Sequence, residues 1–457
     1  QIALHVGPLG QLLALLPSDA QSLLQVSVGV QLASGRREAT ATAARREPSG
    51  GANSSCAALA NMGSFFTVEA LVGTPGQGFD VVADTGSDSF MVPSCACVGC
   101  NAHDACFHNP TTQSVTFDAS DSDSEGLWVL SYGSGDITAR RVTDVVRVGG
   151  VAATMTDEVF LMVHTELDFS SAFEGILGLG VPTPDQRHFL DRADVDRFSI
   201  CFNDGTRPGA LVFEPPAAPT MLPQIGEVHW GLGIAGIRAG AADVPAVACD
   251  AASTTLAPGQ WTPCGAIPDS GTTLMMGPQD QIHALYAGLC AQWPRCVQRA
   301  VGASEFARAH AFQVLLYECQ DWLTETGGLE EVPSIFMTLT GAHNSSDVIE
   351  LTAWAYITES LAHEVEIVTK ELWAGLNVSV VAPSTRRVCT ASFGAHDYVT
   401  VRNGPVWILG SPLFYEYQVV FGRLQPSIGF RHGPCEECGA GGAALLDETE
   451  TAPTQAS

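Results

Sequence analysis

Lysine is almost missing from this chain. Lys370 is the single lysine in 457 residues, and the 21 basic residues face 49 acidic ones, for a formal net charge of −28. No basic patch exists to neutralise phosphates, which excludes nucleic acid and anionic membrane surfaces as partners. Also absent is any run of the roughly 18 to 20 apolar residues that a membrane-spanning helix requires, so no transmembrane segment is expected. The hydrophobic fraction, 46%, is ordinary for a globular protein and excludes wholesale disorder. The acidity has two readings. One is a solvated surface that keeps the protein soluble; the other is work in an acid compartment, where carboxylates are neutralised as pH falls through their normal range.

Cysteine, by contrast, is plentiful. There are 14, an even number, mostly within loop-like segments. Three Asn-X-Ser sequons stand beside them, at Asn53, Asn344 and Asn377. Together they point to the secretory route, with disulfides and N-linked glycans. The leading "QIALHVGPLGQLLALLP" is apolar but interrupted by Pro8 and Pro17, and is expected to be the remnant of a signal or pro-segment. Residues 1–60 have weak periodicity and contain two dibasic pairs, Arg36-Arg37 and Arg45-Arg46. They read as a mobile segment: either a pro-segment removed on activation or a solvated linker. Residues 433–457 are acidic and low in complexity, and are expected to be disordered.

Between these ends, short alternating runs recur between Gly, Pro and Asp turns, as in "SVTFDAS", "GLWVLSYGSGDITARRVTDVVRVGG" and "GALVFE". That pattern predicts an all-β protein. Helical periodicity is convincing mainly at "PQDQIHALYAGLCAQW".

One stretch breaks the rhythm. In "GFDVVADTGSDSFMVPS" the apolar run Val81-Val82-Ala83 meets Asp84-Thr85-Gly86-Ser87 and then resumes. A surface turn would account for it, but a carboxylate within a buried strand is costly unless something compensates it. The second copy decides between them. "CGAIPDSGTTLMMGP" places Asp269-Ser270-Gly271-Thr272 in a matching apolar frame. Each copy is followed much later by its own Ile-Leu-Gly, in "FEGILGLG" and "VWILGSPLF". The repeat implies two related lobes, each presenting one carboxylate.

On these motifs the chain resembles the pepsin-like aspartic endopeptidases, of the pepsin and cathepsin D type, from about residue 62 to 432. "YGSGDITA" resembles the family's active-site flap, and "FSICF", "VPSIFMTLTG" and "GFR" resemble further segments. The resemblance implies a bilobal all-β fold with the cleft between an N-terminal lobe, residues 61–215, and a C-terminal lobe, residues 216–432. It implies Asp84 and Asp269 as the catalytic pair. Two carboxylates face to face share one proton, so one can activate a water while the other donates to the scissile carbonyl. No covalent intermediate, cofactor or metal is needed. Thr85 and Ser270 would brace the lobes, and Gly86 and Gly271 would leave room for close backbone approach. Ser87 and Thr272 would hydrogen-bond the outer carboxylate oxygens. Tyr132, Gly133, Ser134, Gly135 and Asp136 would form a mobile hairpin over a polypeptide substrate. Phe173, Ile176 and Met275 are either apolar subsite walls or core.

Three positions depart from the family pattern. Met91 stands where a Trp often supports the flap Tyr. Ser411 replaces the Asp of Ile-Leu-Gly-Asp, which leads us to expect a shifted pH optimum. Gly422 replaces the Asp of Phe-Asp-Arg. Cys95, Cys97, Cys100 and Cys106, with His103 and His108 nearby, have the residue types of a zinc site, but the resemblance implies disulfides there. It also implies the pairs Cys249–Cys264 and Cys319–Cys389; Cys290 with Cys296 is a further candidate. The expected protein is a monomeric, secreted or lysosome-like aspartic endopeptidase made as a zymogen. The alternative is a pepsin-like binding protein that has lost catalysis. A membrane-tethered processing enzyme would need a span that these residues lack.

Overall fold

A computed structural model describes residues 56–100, 106–107, 114–119, 126–132, 135–166, 174–181, 188–205, 207–244, 264–324, 327–372, 376–396 and 405–438. They form mostly strands with few helices, as a bilobal all-β fold requires.

The largest sheet has 13 strands. Its middle is a meander of Cys56–Asn61, Phe66–Val72 and Gln77–Asp84, each antiparallel to the next. Alternation of apolar and polar residues buries Leu59, Val68, Ala70 and Val81 on the core side. At one end lies the hairpin of Trp128–Tyr132 and Gly135–Val148, with Tyr132 opposite Gly135. Towards the other end, Tyr417–Gly422 pairs with Arg197–Cys201. This one sheet therefore carries strands from both sides of the expected 215/216 boundary. Phe198 and Phe421 stack at 4.8 Å across that pairing, and Trp230 packs edge-on to Phe198. Such aromatic pairs add to the area they bury. Gly422 fits here because a Cβ would come within 2.9 Å of Ser427 Oγ on the neighbouring strand.

Two smaller sheets of four strands lie in the second half. One consists of Gly265–Pro268, Val406–Leu409, Met275–Gly277 and Phe393–Ala395. Helix Gln279–Gln292 follows, as its periodicity predicts, but it is not alone. Pro294–Arg299 and Glu305–Tyr317 are also helical, the latter capped by the Ser304 hydroxyl on the Ala307 N–H. Ile357–Leu372 and Leu376–Ala391 form a separate two-stranded ribbon. No helix among the described residues is long and apolar enough to cross a membrane.

The disulfides correct the expected ends of the folded body. Cys56 joins Cys438, and Cys201 joins Cys435. Residues 433–438, expected to be disordered, are thus covalently held against the large sheet. Likewise residues 56–60, expected within the mobile N-terminal segment, belong to strand Cys56–Asn61, which is paired on both edges. The remainder of both terminal segments, with Asn53 and the dibasic pairs, lies outside the described residues. Cys95–Cys106 and Cys97–Cys100 pair within the cluster, so none of those four sulfurs remains as a thiolate for a metal. His103 and His108 lie outside the described residues. Cys290–Cys296 and Cys319–Cys389 pair as expected. Cys264 is disulfide-bonded; Cys249 lies outside the described residues. Asn344 falls in a short helical turn, Ala342–Asn344, and Asn377 in strand Leu376–Ala391 opposite Glu371.

Candidate active site

Asp84 ends a strand whose neighbour is parallel: Val82, Ala83 and Asp84 register with Ile176, Leu177 and Gly178. The second copy repeats the arrangement, with Ile267 and Pro268 beside Ile408 and Leu409. Each Ile-Leu-Gly thus supplies the strand beside its own carboxylate loop. Leu179 N–H donates to the Asp84 carbonyl at 2.7 Å, and Asp269 N–H donates to the Leu409 carbonyl at 3.0 Å. The last Gly of each motif lets the loop pass. A Cβ on Gly178 would meet Ser89 N at 2.3 Å, and one on Gly410 would meet Leu274 O at 2.3 Å.

The two carboxyl groups are brought together and hydrogen-bond each other, fully buried between the lobes. Gly86 N–H donates to Asp84 Oδ1 and Gly271 N–H to Asp269 Oδ1, both at 2.9 Å. The Ser87 hydroxyl donates to Asp84 Oδ2 in a very short bond, and Thr272 Oγ1 to Asp269 Oδ2 at 2.8 Å. Each glycine also faces the opposite carboxylate. A Cβ on Gly86 would lie 2.6 Å from the Asp269 carboxylate, and one on Gly271 would lie 2.3 Å from Asp84 Oδ1. No other residue leaves the pair in contact.

Beneath the pair the loops interlock. Thr85 N–H donates to Ser270 Oγ and Ser270 N–H to Thr85 Oγ1, both at 3.0 Å. The hydroxyls pass their protons on, Thr85 to the Pro268 carbonyl at 3.0 Å and Ser270 to the Ala83 carbonyl at 2.7 Å. Every polar atom in this buried bracket has a partner, so its burial costs little.

Burial pushes the Asp84 carboxyl up, opposed by its hydrogen bonds from Ser87 and Gly86. Burial, reinforced by the charge of Asp84, pushes Asp269 well above the usual carboxylate range. The pair therefore holds one proton over a wide span of pH.

A model of the family described as eukaryotic aspartyl protease matches residues 65–213. Pepsin A of Sus scrofa is similar to this chain, 26% identical over 379 residues that cover 78% of each. Pepsin A of Bos taurus is 26% identical over 379 residues, covering 78% of this chain and 81% of its own. Over these stretches the chain is similar to pepsin-like aspartic proteases.

Tyr132 is buried at the tip of its hairpin, and its hydroxyl donates to Met91 Sδ at 3.7 Å. Gly135 has φ +142°, a value that favours glycine, and Asp136 is exposed. Gly133 and Ser134 lie outside the described residues, as does Phe173. Ile176 and Met275 are buried in apolar clusters, Ile176 in the one that holds Tyr132 and Met91. Two groups that support the site were not singled out by the motifs, although Trp407 stands within "VWILGSPLF". Trp230 Nε1 donates to the Leu179 carbonyl at 2.9 Å, fixing the residue that holds Asp84 from behind. Trp407 Nε1 donates to Gln281 Oε1 at 2.7 Å, tying the second loop's strand to a helix. A buried Trp in need of an acceptor was the available clue.

Proposed function

We propose that this protein is an aspartic endopeptidase in which Asp84 and Asp269 activate a water between them. The reading is carried by one observation: two buried carboxyl groups in contact, each with a glycine N–H and a hydroxyl on separate oxygens. In this scheme the ionised carboxylate takes a proton from the water as its oxygen attacks the scissile carbonyl carbon. The protonated partner gives its proton to the carbonyl oxygen. The resulting tetrahedral diol collapses when the nitrogen is protonated and the C–N bond breaks, and no acyl-enzyme forms. The hairpin carrying Tyr132 and Asp136 closes over an extended polypeptide and excludes water.

We further infer an N-terminal lobe at 61–215 and a C-terminal lobe at 216–432, and a monomer secreted or delivered to an acidic compartment. The dibasic pairs before Cys56 fit removal of a pro-segment. Six disulfides resolved among the described residues suit an oxidising route. The test is a mixed peptide library incubated from acid to neutral pH after removal of the N-terminal segment, beside Asp84→Asn. Cleavage that depends on Asp84 is expected. Peptide binding without cleavage would instead identify a binding protein on the same fold.

A further inference from the structure

The flap tyrosine has an unusual partner. Its hydroxyl donates to a thioether, Met91 Sδ, at 3.7 Å. Met91 is wholly buried with Leu130, Ile137, Phe160 and Ile176, and the Cys97–Cys100 disulfide packs on this cluster. Ser87 lies within hydrogen-bonding reach of the same hydroxyl. The Ser87 proton is already committed to Asp84 Oδ2.

A phenol has one proton to give. A thioether accepts weakly and donates nothing, whereas a serine oxygen is a good acceptor. The Tyr132 proton goes to Met91 or to Ser87, not to both. A proton received by Ser87 Oγ would polarise its own O–H towards Asp84 and strengthen that bond. We propose that Met91 is a positioning residue for the dyad: its sulfur draws the Tyr132 proton away from Ser87 and so weakens the support for ionised Asp84. This rests on the endopeptidase reading above.

The charged groups facing Tyr132 are Asp84 and Asp88, and both act to keep the phenol protonated. The rest of the cluster adds none, because Leu130, Ile137, Phe160 and Ile176 do not titrate and both cysteines are disulfide-bonded. The proton's direction is therefore decided by the two acceptors.

The experiment is Met91→Leu, which keeps the volume and removes the acceptor. The acid limb of kcat/KM should move down by about half a pH unit, the scale of one redirected hydrogen bond. In a Tyr132→Phe background the same substitution should move nothing. A carbon-13 titration of the Asp84 carboxyl, which needs no turnover, should show the same downward shift. An unmoved Asp84 titration, or an equal shift without the Tyr132 hydroxyl, overturns the proposal. Absence of cleavage with a shifted titration would instead overturn the endopeptidase reading alone. If Met91→Leu does not fold, Met91→Ile removes the same acceptor.

Discussion

Asp84 and Asp269 each receive a glycine N–H at 2.9 Å and a hydroxyl from the residue three positions on. Their immediate surroundings are near copies, down to the exchanged hydroxyls of Thr85 and Ser270. The next layer is not copied. Over Asp84 stand Tyr132 and Met91 on the large sheet, whereas the second loop is backed by the small sheet and helix Gln279–Gln292. Around the shared proton the residues are paired and alike; in the layer beyond they differ. In the proposed reaction, symmetry would thus serve the proton transfer and asymmetry the access of substrate.

The strongest way to break this comparison is to remove one carboxylate at a time. Asp84→Asn and Asp269→Asn should each lower kcat by about 10³-fold, within the range of a lost general acid or base. Assays on the peptide library would check it, and a variant that kept most of its activity would show that the two are not equivalent. Gly86→Ala and Gly271→Ala come next. Each Cβ would push the opposite carboxylate aside, and a displacement near 1 Å costs about 10²-fold. Gly271→Ala should be the worse, since its Cβ would sit at 2.3 Å against 2.6 Å.

The interlocked hydroxyls test the symmetry by stability. Thr85→Val and Ser270→Ala each leave a buried N–H without its acceptor, at a cost of about 1–3 kcal/mol. Urea unfolding should give similar losses for the two. The double variant should lose less than their sum, because they share partners.

Most of this inner layer was legible in the sequence. Two Asp-x-Gly-x loops in matching apolar frames, each with a later Ile-Leu-Gly, mark groups that must be buried and backed by a parallel strand. The outer layer was not legible, for physical reasons. Cys56 pairs across 382 residues and Cys201 across 234, and no local pattern fixes such partners. That is why the folded body reaches out to Cys56 and Cys438, beyond the ends that composition marks. Helix Glu305–Tyr317 buries only Ala309, Phe312, Leu315 and Leu316, a face too narrow to stand out in "EFARAHAFQVLLY". Met91 was visible as a departure, but its role as an acceptor depends on where the Tyr132 hydroxyl lands.

A further contrast lies between the dyad and His229, buried beside Trp230. Burial pushes the His229 imidazole down to about 4. Its folded form binds fewer protons than the unfolded chain between about 6.5 and about 4, so stability falls as pH drops through that window. The dyad has the opposite sign. Its folded pKa values lie above those of free carboxylates, so its contribution is largest at low pH and is lost as pH rises. His229→Phe should therefore gain up to about 3 kcal/mol at pH near 4 relative to neutral pH. Chemical unfolding at both pH values checks it; an unchanged difference between them would mean that His229 is charged in the folded protein.

The smallest expected effect concerns Ser411. Its N–H donates to the Thr272 carbonyl at 2.9 Å, and Thr272 in turn donates to Asp269 Oδ2. A carboxylate at 411 would stand one residue from the dyad on the second loop alone. Added negative charge disfavours the doubly ionised pair, so Ser411→Asp should raise its upper pKa and move the alkaline limb of the pH–rate profile upward by about half a unit. The acid limb should move less, because the first ionisation falls chiefly on Asp84, on the other loop, whereas position 411 is linked through Thr272 to Asp269. Ser411→Asn adds nearly the same volume without the charge and should leave both limbs in place. If Asn shifts the alkaline limb as far as Asp does, the change comes from packing against Thr272, and the second loop tunes the pair by position rather than by field.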